Sequence, residues 1–137
     1  MDTNILISGI FFSGLESTLL KQASIDFTTS DVNYAETLNI VKRKFTGLDS
    51  NILNYTLKKI EDAFLDIKII QERDWKTKLN DTGKYLRGND QKIFAAVLFA
   101  KPDYLVTHDR DFYKREIKRF VKVVNTRTLL RKLEIIE

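Results

Sequence analysis

The sequence predicts an α/β protein in which a parallel sheet is flanked by helices. Short apolar runs of strand type alternate along the chain with longer segments whose apolar residues recur at helical spacing. Strands that alternate with helices form parallel sheets, because each connection crosses a face of the sheet as a helix. The 137 residues carry no linker, internal repeat or low-complexity segment, so we expect a single domain over residues 1–137.

The first half of the chain contains helical patterns separated by short strand-like runs. An apolar helix is expected directly after residues 2–4, and the turn signal Ser13–Gly14 ends it. Asp49 and Ser50 are residue types that cap helices, and they precede a strong apolar stripe. We expect further helices over residues 15–23, 32–45 and 51–65, and strands over residues 24–28 and 66–70.

The second half of the chain is organised around residues 89–113. Asp90 opens an apolar helix, and the proline-containing segment Lys101–Asp103 breaks it. Residues 104–107 are a short apolar run of strand type, and a last strand is expected over residues 121–124. The remaining predicted helices are the polar segment 74–86, the basic run 113–120 and a final segment capped by Thr126.

The composition excludes several kinds of chemistry. The chain has no cysteine, which removes disulfides, thiolate catalysis and zinc–cysteine sites and fits a cytoplasmic protein. His108 is the only histidine, which argues against a Ser-His-Asp triad or a multi-histidine metal site. A metal would therefore be bound by oxygen atoms, as Mg²⁺ and Mn²⁺ are. No apolar run is long enough to span a membrane, so no membrane partner is expected.

Acidic residues stand where predicted elements begin or end. Any single acid at a helix start has a plain explanation in capping and in the helix dipole. Asp109 is different, because it follows a strand directly, and ligands of open α/β sheets bind beyond the carboxyl ends of the strands. The candidates for one shared acidic pocket are Asp2, Glu36, Asp90, Asp109 and Asp111.

Basic residues crowd the segment that follows this strand. The net charge is only +4, but lysine and arginine are concentrated between residues 110 and 132. Basic side chains around an acidic pocket suit a polyanionic substrate, although surface solvation explains them equally well. Our candidates for phosphate binding are Arg110, Lys114, Arg115, Lys118 and Arg119.

Each of four other side chains has two possible roles. His108 would either contact a phosphate or a metal, or simply meet solvent at the strand end. Trp75, Tyr85 and Phe112 would either stack on RNA bases or pack in the core, and aromatic residues at helical spacing usually pack in the core.

Several segments together resemble PIN-domain ribonucleases, small single-domain toxins of the VapC kind among them. They are DTNILISGIFFSG, Glu36 on the second long helix, NDQKIFAAVLFAKPDYLVTHDRDF and VKVVNTRTLLRKL. The resemblance implies a three-layer fold, with a central parallel β-sheet flanked by helices and a pocket for Mg²⁺ or Mn²⁺. It assigns catalysis to Asp2, Glu36, Asp90 and Asp109, metal binding to Asp2, Asp90, Asp109 and Asp111, and supporting polar roles to Asn4 and Thr107.

The chain departs from the family pattern at two places. In the family the first acid ends a central strand, whereas only Met1 precedes Asp2 here, so we expect a truncated first strand or a start that omits residues. Near Asp90, Asn89 and its neighbours stand where relatives often carry a further acid, which predicts weaker metal binding.

The resemblance implies a metal-dependent endoribonuclease that hydrolyses RNA phosphodiester bonds. Such a domain serves either as the toxin of a toxin–antitoxin pair, with a small antitoxin protein as partner, or in RNA processing. A homodimer is also expected, with the apolar helix over residues 51–65 as its interface. The metal preference, the RNA sequence cut and cleavage of DNA stay open.

Two other functions compete with the nuclease. A phosphatase of the haloacid dehalogenase kind would use Asp2 as its nucleophile, but that family needs an aspartate two residues later, where Asn4 stands. The other alternative is a non-catalytic PIN-fold module that binds nucleic acid. Metal-dependent cleavage of RNA separates the nuclease from both.

Overall fold

The strands of this protein pair in two separate parallel sheets within a mainly helical structure. The computed structural model describes residues 1, 3–11, 14–44, 47 and 49–137, with the backbone alone at positions 4 and 8. Within these residues the structure is mixed α/β, and each sheet has two strands. The α/β class predicted from the alternation of helices and strands is therefore confirmed.

The first sheet is built from the amino-terminal half of the chain. Its strands pair in parallel, with Phe27 opposite Ile67 and Ser30 opposite Ile70. The predicted cap at Asp49 is confirmed for the helix Ser50–Phe64, because the Asn51 N–H donates to Asp49 Oδ1 at 2.8 Å. The elements are α1 (Thr3–Phe11), α2 (Leu15–Leu20), β1 (Phe27–Ser30), α3 (Asp31–Lys44), α4 (Ser50–Phe64) and β2 (Ile67–Ile70).

The second sheet comes from the carboxyl-terminal half. Its strands are also parallel, with Tyr104 opposite Lys122 and Val106 opposite Val124. The elements are α5 (Glu72–Trp75), a 3-10 helix (Lys76–Lys78), α6 (Leu79–Thr82), α7 (Gly88–Ala100), β3 (Tyr104–Val106), a 3-10 helix (Arg110–Tyr113), α8 (Arg115–Lys118), β4 (Lys122–Val124) and α9 (Thr126–Lys132).

Residues 74–86 do not form the continuous helix that their pattern predicts. The segment is divided among α5, a 3-10 turn and α6. Two threonine hydroxyls donate to carbonyls three residues back, Thr77 to Asp74 and Thr82 to Leu79. Side-chain bonds of this kind compete with the backbone ladder of a regular helix. Short, interrupted helical turns are the result.

Several further boundaries differ from the prediction: the helix expected over residues 15–23 is Leu15–Leu20, and the strand expected over residues 24–28 is Phe27–Ser30. Asn125, not Thr126, caps the last helix, since its Oδ1 accepts from the Thr128 N–H at 2.8 Å. An asparagine in extended backbone geometry is at least as good a cap as threonine. The basic run 113–120 contains only the single helical turn of α8 after a 3-10 turn.

Helix α7 packs against both halves of the structure. Its buried residue Phe94 belongs to a cluster with Leu105 of β3, and its buried Ala95 packs with Ile70 of β2 and with Trp75. A helix held on two sides in this way presents its first turn at a fixed position relative to both sheets. That first turn carries Asp90.

The described strands do not join into the single central sheet that the alternation predicts. β1 pairs with β2, β3 pairs with β4, and a cavity of about 540 Å³ lies between β1 and β3.

Within the described part of the chain, no helix is long and apolar enough to cross a membrane. On α4, Ile52 and Tyr55 are exposed, and Leu65 after its end is 81% exposed.

Candidate metal centre

Three carboxylates from two separate segments converge at the end of β3. Asp90 lies in the first turn of α7, while Asp109 and Asp111 follow β3. One oxygen of each lies within 4.8 Å of the others. Asp90 and Asp109 are partly buried, and Asp111 is exposed. Three of the four residues predicted to bind a metal are thus brought together. Asp90 lies 19 positions before Asp109 in the sequence, and Asp111 lies 2 positions after it.

Thr107 fixes the backbone that carries Asp109. The threonine is 1% exposed, and its N–H donates to Val124 O at 3.0 Å, which extends the pairing of β3 with β4. Its Oγ1 accepts from the Asp109 N–H at 3.0 Å. A buried threonine at the end of a strand therefore anchors the acid two residues further on. The contact is compatible with the supporting role predicted for Thr107.

Asp109 and Asp111 are also joined to each other. The Asp111 N–H donates to Asp109 Oδ1 at 2.9 Å, which caps the 3-10 helix Arg110–Tyr113. A carboxylate oxygen can accept more than one bond, so the cap leaves ligand capacity on both oxygens of Asp109. The turn sets the spacing between the two side chains.

Asp90 is positioned by the helix that it opens. Gly88 begins α7 with φ of 59°, a left-handed conformation that glycine adopts without strain. Asp90 then falls in the first turn, where the helix dipole favours a negative charge. The buried residues Ile93, Phe94 and Val97 hold the helix against the core. The carboxylate therefore rests on a rigid element rather than on a loop.

Glu36 is bonded to the residue that precedes Asp90 and is held by two hydrogen bonds. Its Oε2 accepts from Thr3 Oγ1 at 2.7 Å, and its Oε1 accepts from Asn89 Nδ2 at 3.1 Å. Asn89 directly precedes Asp90, so Glu36 is tied to the same turn of α7. Among the described residues, however, the three oxygens that converge belong to Asp90, Asp109 and Asp111.

A buried polar chain leads from β1 to Glu36. Asn33, which is 1% exposed, accepts from Ser30 Oγ at 2.7 Å and donates from Nδ2 to Thr3 Oγ1 at 3.0 Å. Thr3 in turn donates to Glu36. Because buried polar groups are costly unless they are paired, this network holds the Glu36 side chain in one orientation.

No part in the site was predicted for Ser30 or Asn33, and the contact from Asn89 to Glu36 was not predicted either. A signal for the first two was present, since Ser30, Asn33 and Glu36 follow one another at intervals of three. Residues three apart on a helix share a face, so the spacing places the polar residues in line with the predicted acid. For Asn89 the sequence offers only its position next to Asp90.

The predictions for Asp2 and for the Asn4 side chain lie outside the described residues. Their described neighbours are firmly held. The Met1 α-amino group donates to Thr28 O at 2.9 Å, and Thr3 is 3% exposed and bonded to Glu36.

The basic candidates are all exposed. Arg110 belongs to the 3-10 turn after Asp109, and Lys114, Arg115, Lys118 and Arg119 follow it along the next turn. The Lys118 ammonium lies 5.5 Å from the centre of the Tyr113 ring, a cation–π contact. The segment therefore presents positive charge to solvent next to the acids in the sequence.

The contacts of the aromatic residues distinguish between their two predicted roles, whereas the contact of His108 leaves both of its predicted roles open. His108 is exposed, and its Nε2 lies 3.2 Å from Glu16 Oε1. It does not belong to the acidic group that the described residues form. Trp75 and Phe112 are 4% and 2% exposed, and Tyr85 packs edge-on against Phe94. The aromatic residues thus belong to the core.

The donor set fits a hard divalent cation. Mg²⁺ binds oxygen at about 2.1 Å, so two oxygens on one ion lie at most about 4.2 Å apart. The three carboxylate oxygens are no more than 4.8 Å apart, which small rotations of the side chains can close. Clustered carboxylates repel one another, and a cation between them removes that repulsion. The group can therefore hold Mg²⁺ or Mn²⁺.

Comparison with known proteins does not assign the chain to a family. No protein-family model matches the chain, and a search of curated proteins finds no match to its sequence.

Tyr113 supports the same strand end and provides a pH-dependent test. Its hydroxyl donates to Thr107 O at 2.7 Å, and burial raises its pKa above 10.0. We expect Tyr113→Phe to lower the free energy of unfolding by about 1 kcal/mol at neutral pH. Because the pKa of Tyr113 is higher in the folded protein than in the unfolded chain, the contribution of Tyr113 to stability is fully present below pH 10. It is lost as the pH rises through the folded-state pKa. The difference between the two proteins should shrink accordingly.

Urea unfolding at pH 7 and at pH 10.5 measures this difference. Tyr55→Phe is the matched control, because Tyr55 is 71% exposed and should lose almost nothing. A Tyr113→Phe variant as stable as wild type at pH 7, or a difference independent of pH, would contradict the assignment.

Proposed function

We propose that this protein is a metal-dependent endoribonuclease of the PIN type. One observation carries the proposal: carboxylates from the start of α7 and from the end of β3 converge to within 4.8 Å. Capping accounts for each acid singly, but it does not bring Asp90 to Asp109. A shared pocket of acids at the carboxyl end of a parallel strand is where α/β folds bind ligands.

The proposed fold is the three-layer PIN-like arrangement with a truncated first strand. The two parallel pairs, β1 with β2 and β3 with β4, would be the two sides of its central sheet. Helix α7 packs against both sides, as a helix on one face of such a sheet does. The order of elements along the chain also supports this arrangement.

In the proposed site, Asp90, Asp109 and Asp111 hold the metal, with Asp2 joining them as the resemblance implies. A bound Mg²⁺ or Mn²⁺ lowers the pKa of water and neutralises charge on a phosphate. Thr107 keeps Asp109 in place through its backbone N–H. Glu36 is held by Thr3 and by Asn89, and its bond to Asn89 orients the first turn of α7, which carries Asp90. Glu36 is the proposed fourth catalytic acid.

The proposed substrate is RNA, and its backbone meets the basic segment after Asp109. Arg110, Lys114, Arg115 and Lys118 are exposed and supply positive charge for phosphates. Hydrolysis by activated water needs no nucleophile from the protein, which agrees with a chain that has no cysteine and one histidine.

Cleavage of end-labelled single-stranded RNA tests the proposal. The protein should cut RNA in the presence of Mg²⁺ or Mn²⁺, lose the activity in EDTA and regain it when excess Mg²⁺ is restored. Contaminating metal-independent ribonucleases would persist in EDTA and are thereby separated. If neither Mg²⁺ nor Mn²⁺ produces cleavage above the level seen in EDTA, the proposal is refuted.

Two companion assays on the same protein, RNA binding and phosphate release from small esters, distinguish the alternatives. Metal-independent binding of RNA without any cleavage would favour a non-catalytic module, and release of phosphate from small esters would favour a phosphatase. An antitoxin partner, a second copy of the chain and a cytoplasmic location stay predictions.

A further inference from the structure

One exposed aromatic ring is held in a fixed orientation at the edge of the core. Phe120 is 51% exposed, yet its ring centre lies 5.8 Å from the centres of both the Tyr85 ring and the Phe94 ring. The interplanar angles are 62° and 71°, so both contacts are edge-on, a favourable arrangement of aromatic rings. The side chain is therefore ordered before any ligand binds, which lowers the entropy cost of binding.

The charge of the surrounding segments sets Phe120 apart, since a single exposed apolar residue is ordinary by itself. Residues 84–87, which contain Tyr85, and residues 114–120 together carry six basic side chains and one acidic side chain. All six basic residues are exposed: Lys84, Arg87, Lys114, Arg115, Lys118 and Arg119. By contrast, the exposed Tyr55 stands in helix α4, which has two basic and two acidic residues. The surroundings of Phe120 therefore favour a polyanion.

The ring rests on the same core as the candidate metal centre. Phe94, against which Phe120 packs, lies one turn after Asp90 in α7, about 6 Å along the helix axis. Phe112, which is buried in the same cluster as Phe94, directly follows Asp111. Each of the two segments that supply acids thus also supplies a ring to this core. An RNA strand bound at the metal centre therefore has Phe120 within reach.

We propose that Phe120 is a stacking platform for one unpaired base of the RNA substrate. Single strands bind where aromatic rings and cationic side chains occur together, because the cations hold the phosphates while a base stacks on the ring. Every base has a π face, so stacking sets where the strand lies and not which sequence is bound. The inference rests on the proposed function, since it takes RNA as the substrate.

Binding of a labelled single-stranded RNA in EDTA tests the inference without involving catalysis. Phe120→Leu keeps an apolar side chain against the neighbouring rings but cannot stack, so it should raise the Kd about tenfold. Phe120→Trp keeps a stacking ring and should stay within about twofold of wild type. Tyr55→Leu removes an exposed aromatic residue of α4 and is the matched control, with an effect below about twofold. Thermal unfolding verifies that each variant is folded.

RNAs that each carry one abasic nucleotide locate the stacked base. With the wild-type protein, removal of one particular base should weaken binding about tenfold. With Phe120→Leu the same removal should cost less than about twofold, because the stacking partner is already absent. In Mg²⁺, that base should lie a fixed number of nucleotides from the bond that is cut.

The outcomes separate this inference from the nuclease proposal. Equally tight binding by wild type and Phe120→Leu, or a loss in Phe120→Trp as large as in Phe120→Leu, would overturn the platform and leave the nuclease standing. Coupling of Phe120 to one base without cleavage in Mg²⁺ or Mn²⁺ would support the platform and refute the nuclease. A wild-type protein that binds no RNA would overturn the platform.

Discussion

Replacing Asp109 or Asp90 by asparagine is expected to lower metal-dependent RNA cleavage at least about a hundredfold, with the fold intact. Each substitution removes one negative charge from the group of three while keeping the side-chain shape. A hundredfold loss corresponds to about 2.7 kcal/mol of lost transition-state stabilisation. Single-turnover cleavage of labelled RNA in saturating Mg²⁺ measures the rate constant directly.

The stability of the same variants should change in a direction that ordinary core damage does not produce. In Asp109→Asn the new amide keeps a side-chain oxygen that can accept from the Asp111 N–H, so the cap of the 3-10 helix survives. Without metal, the variant also has less repulsion between carboxylates. Asp109→Asn should therefore be as stable as wild type or slightly more stable when no divalent cation is present.

Added Mg²⁺ should reverse this order of stability. A ligand at about a hundred times its Kd stabilises the folded state by about 2.7 kcal/mol, which raises the Tm of wild type by several degrees. The variant should gain much less. Differential scanning fluorimetry with and without Mg²⁺ records both effects on the same samples.

Asp81→Asn is the matched control for both measurements. Asp81 is an exposed residue of α6 and is not one of the three converging acids. Its substitution should leave cleavage and the Mg²⁺-induced shift within about twofold of wild type. Equal activity of Asp109→Asn and Asp81→Asn would exclude the three-acid group as the catalytic centre.

The sequence was sufficient to predict the convergence of Asp90 with Asp109 and Asp111. The reason is topological, because a helix that leads into a parallel strand and the turn that follows this strand are local in the chain. The acids at both ends of that unit are separated by only about 20 residues. Local alternation and a proline-marked break therefore define the larger part of the candidate site.

Interactions between distant segments were not predictable in the same way. Glu36 reaches Asn89 across 53 positions, and Asn33 reaches Thr3 across 30. Such pairs depend on how α3 packs against α1 and α7, which periodicity does not specify. The division of the strands into two pairs was not predictable either, because the alternation of helices and strands predicts parallel pairing but does not specify which strands pair.

Phe94→Ala is expected to cause the largest loss of stability of any single substitution considered, about 3–5 kcal/mol. The ring is completely buried at the middle of α7 and lies 5.8 Å from the Phe120 ring and 6.1 Å from the Tyr85 ring. Its removal leaves a cavity beside Leu105 and takes away two edge-on aromatic contacts. Urea unfolding monitored by circular dichroism measures the change.

The same substitution tests whether the core of α7 positions the metal site. Phe99→Ala is the control on the same helix, because Phe99 is 39% exposed and its truncation should cost less than about 1 kcal/mol. Since α7 carries Asp90, Phe94→Ala should also weaken Mg²⁺ binding at temperatures where the protein is still folded, whereas Phe99→Ala should not. Equal Mg²⁺ affinity of the two variants would mean that the metal site does not depend on how α7 is packed. The rigid position inferred for Asp90 would then be wrong.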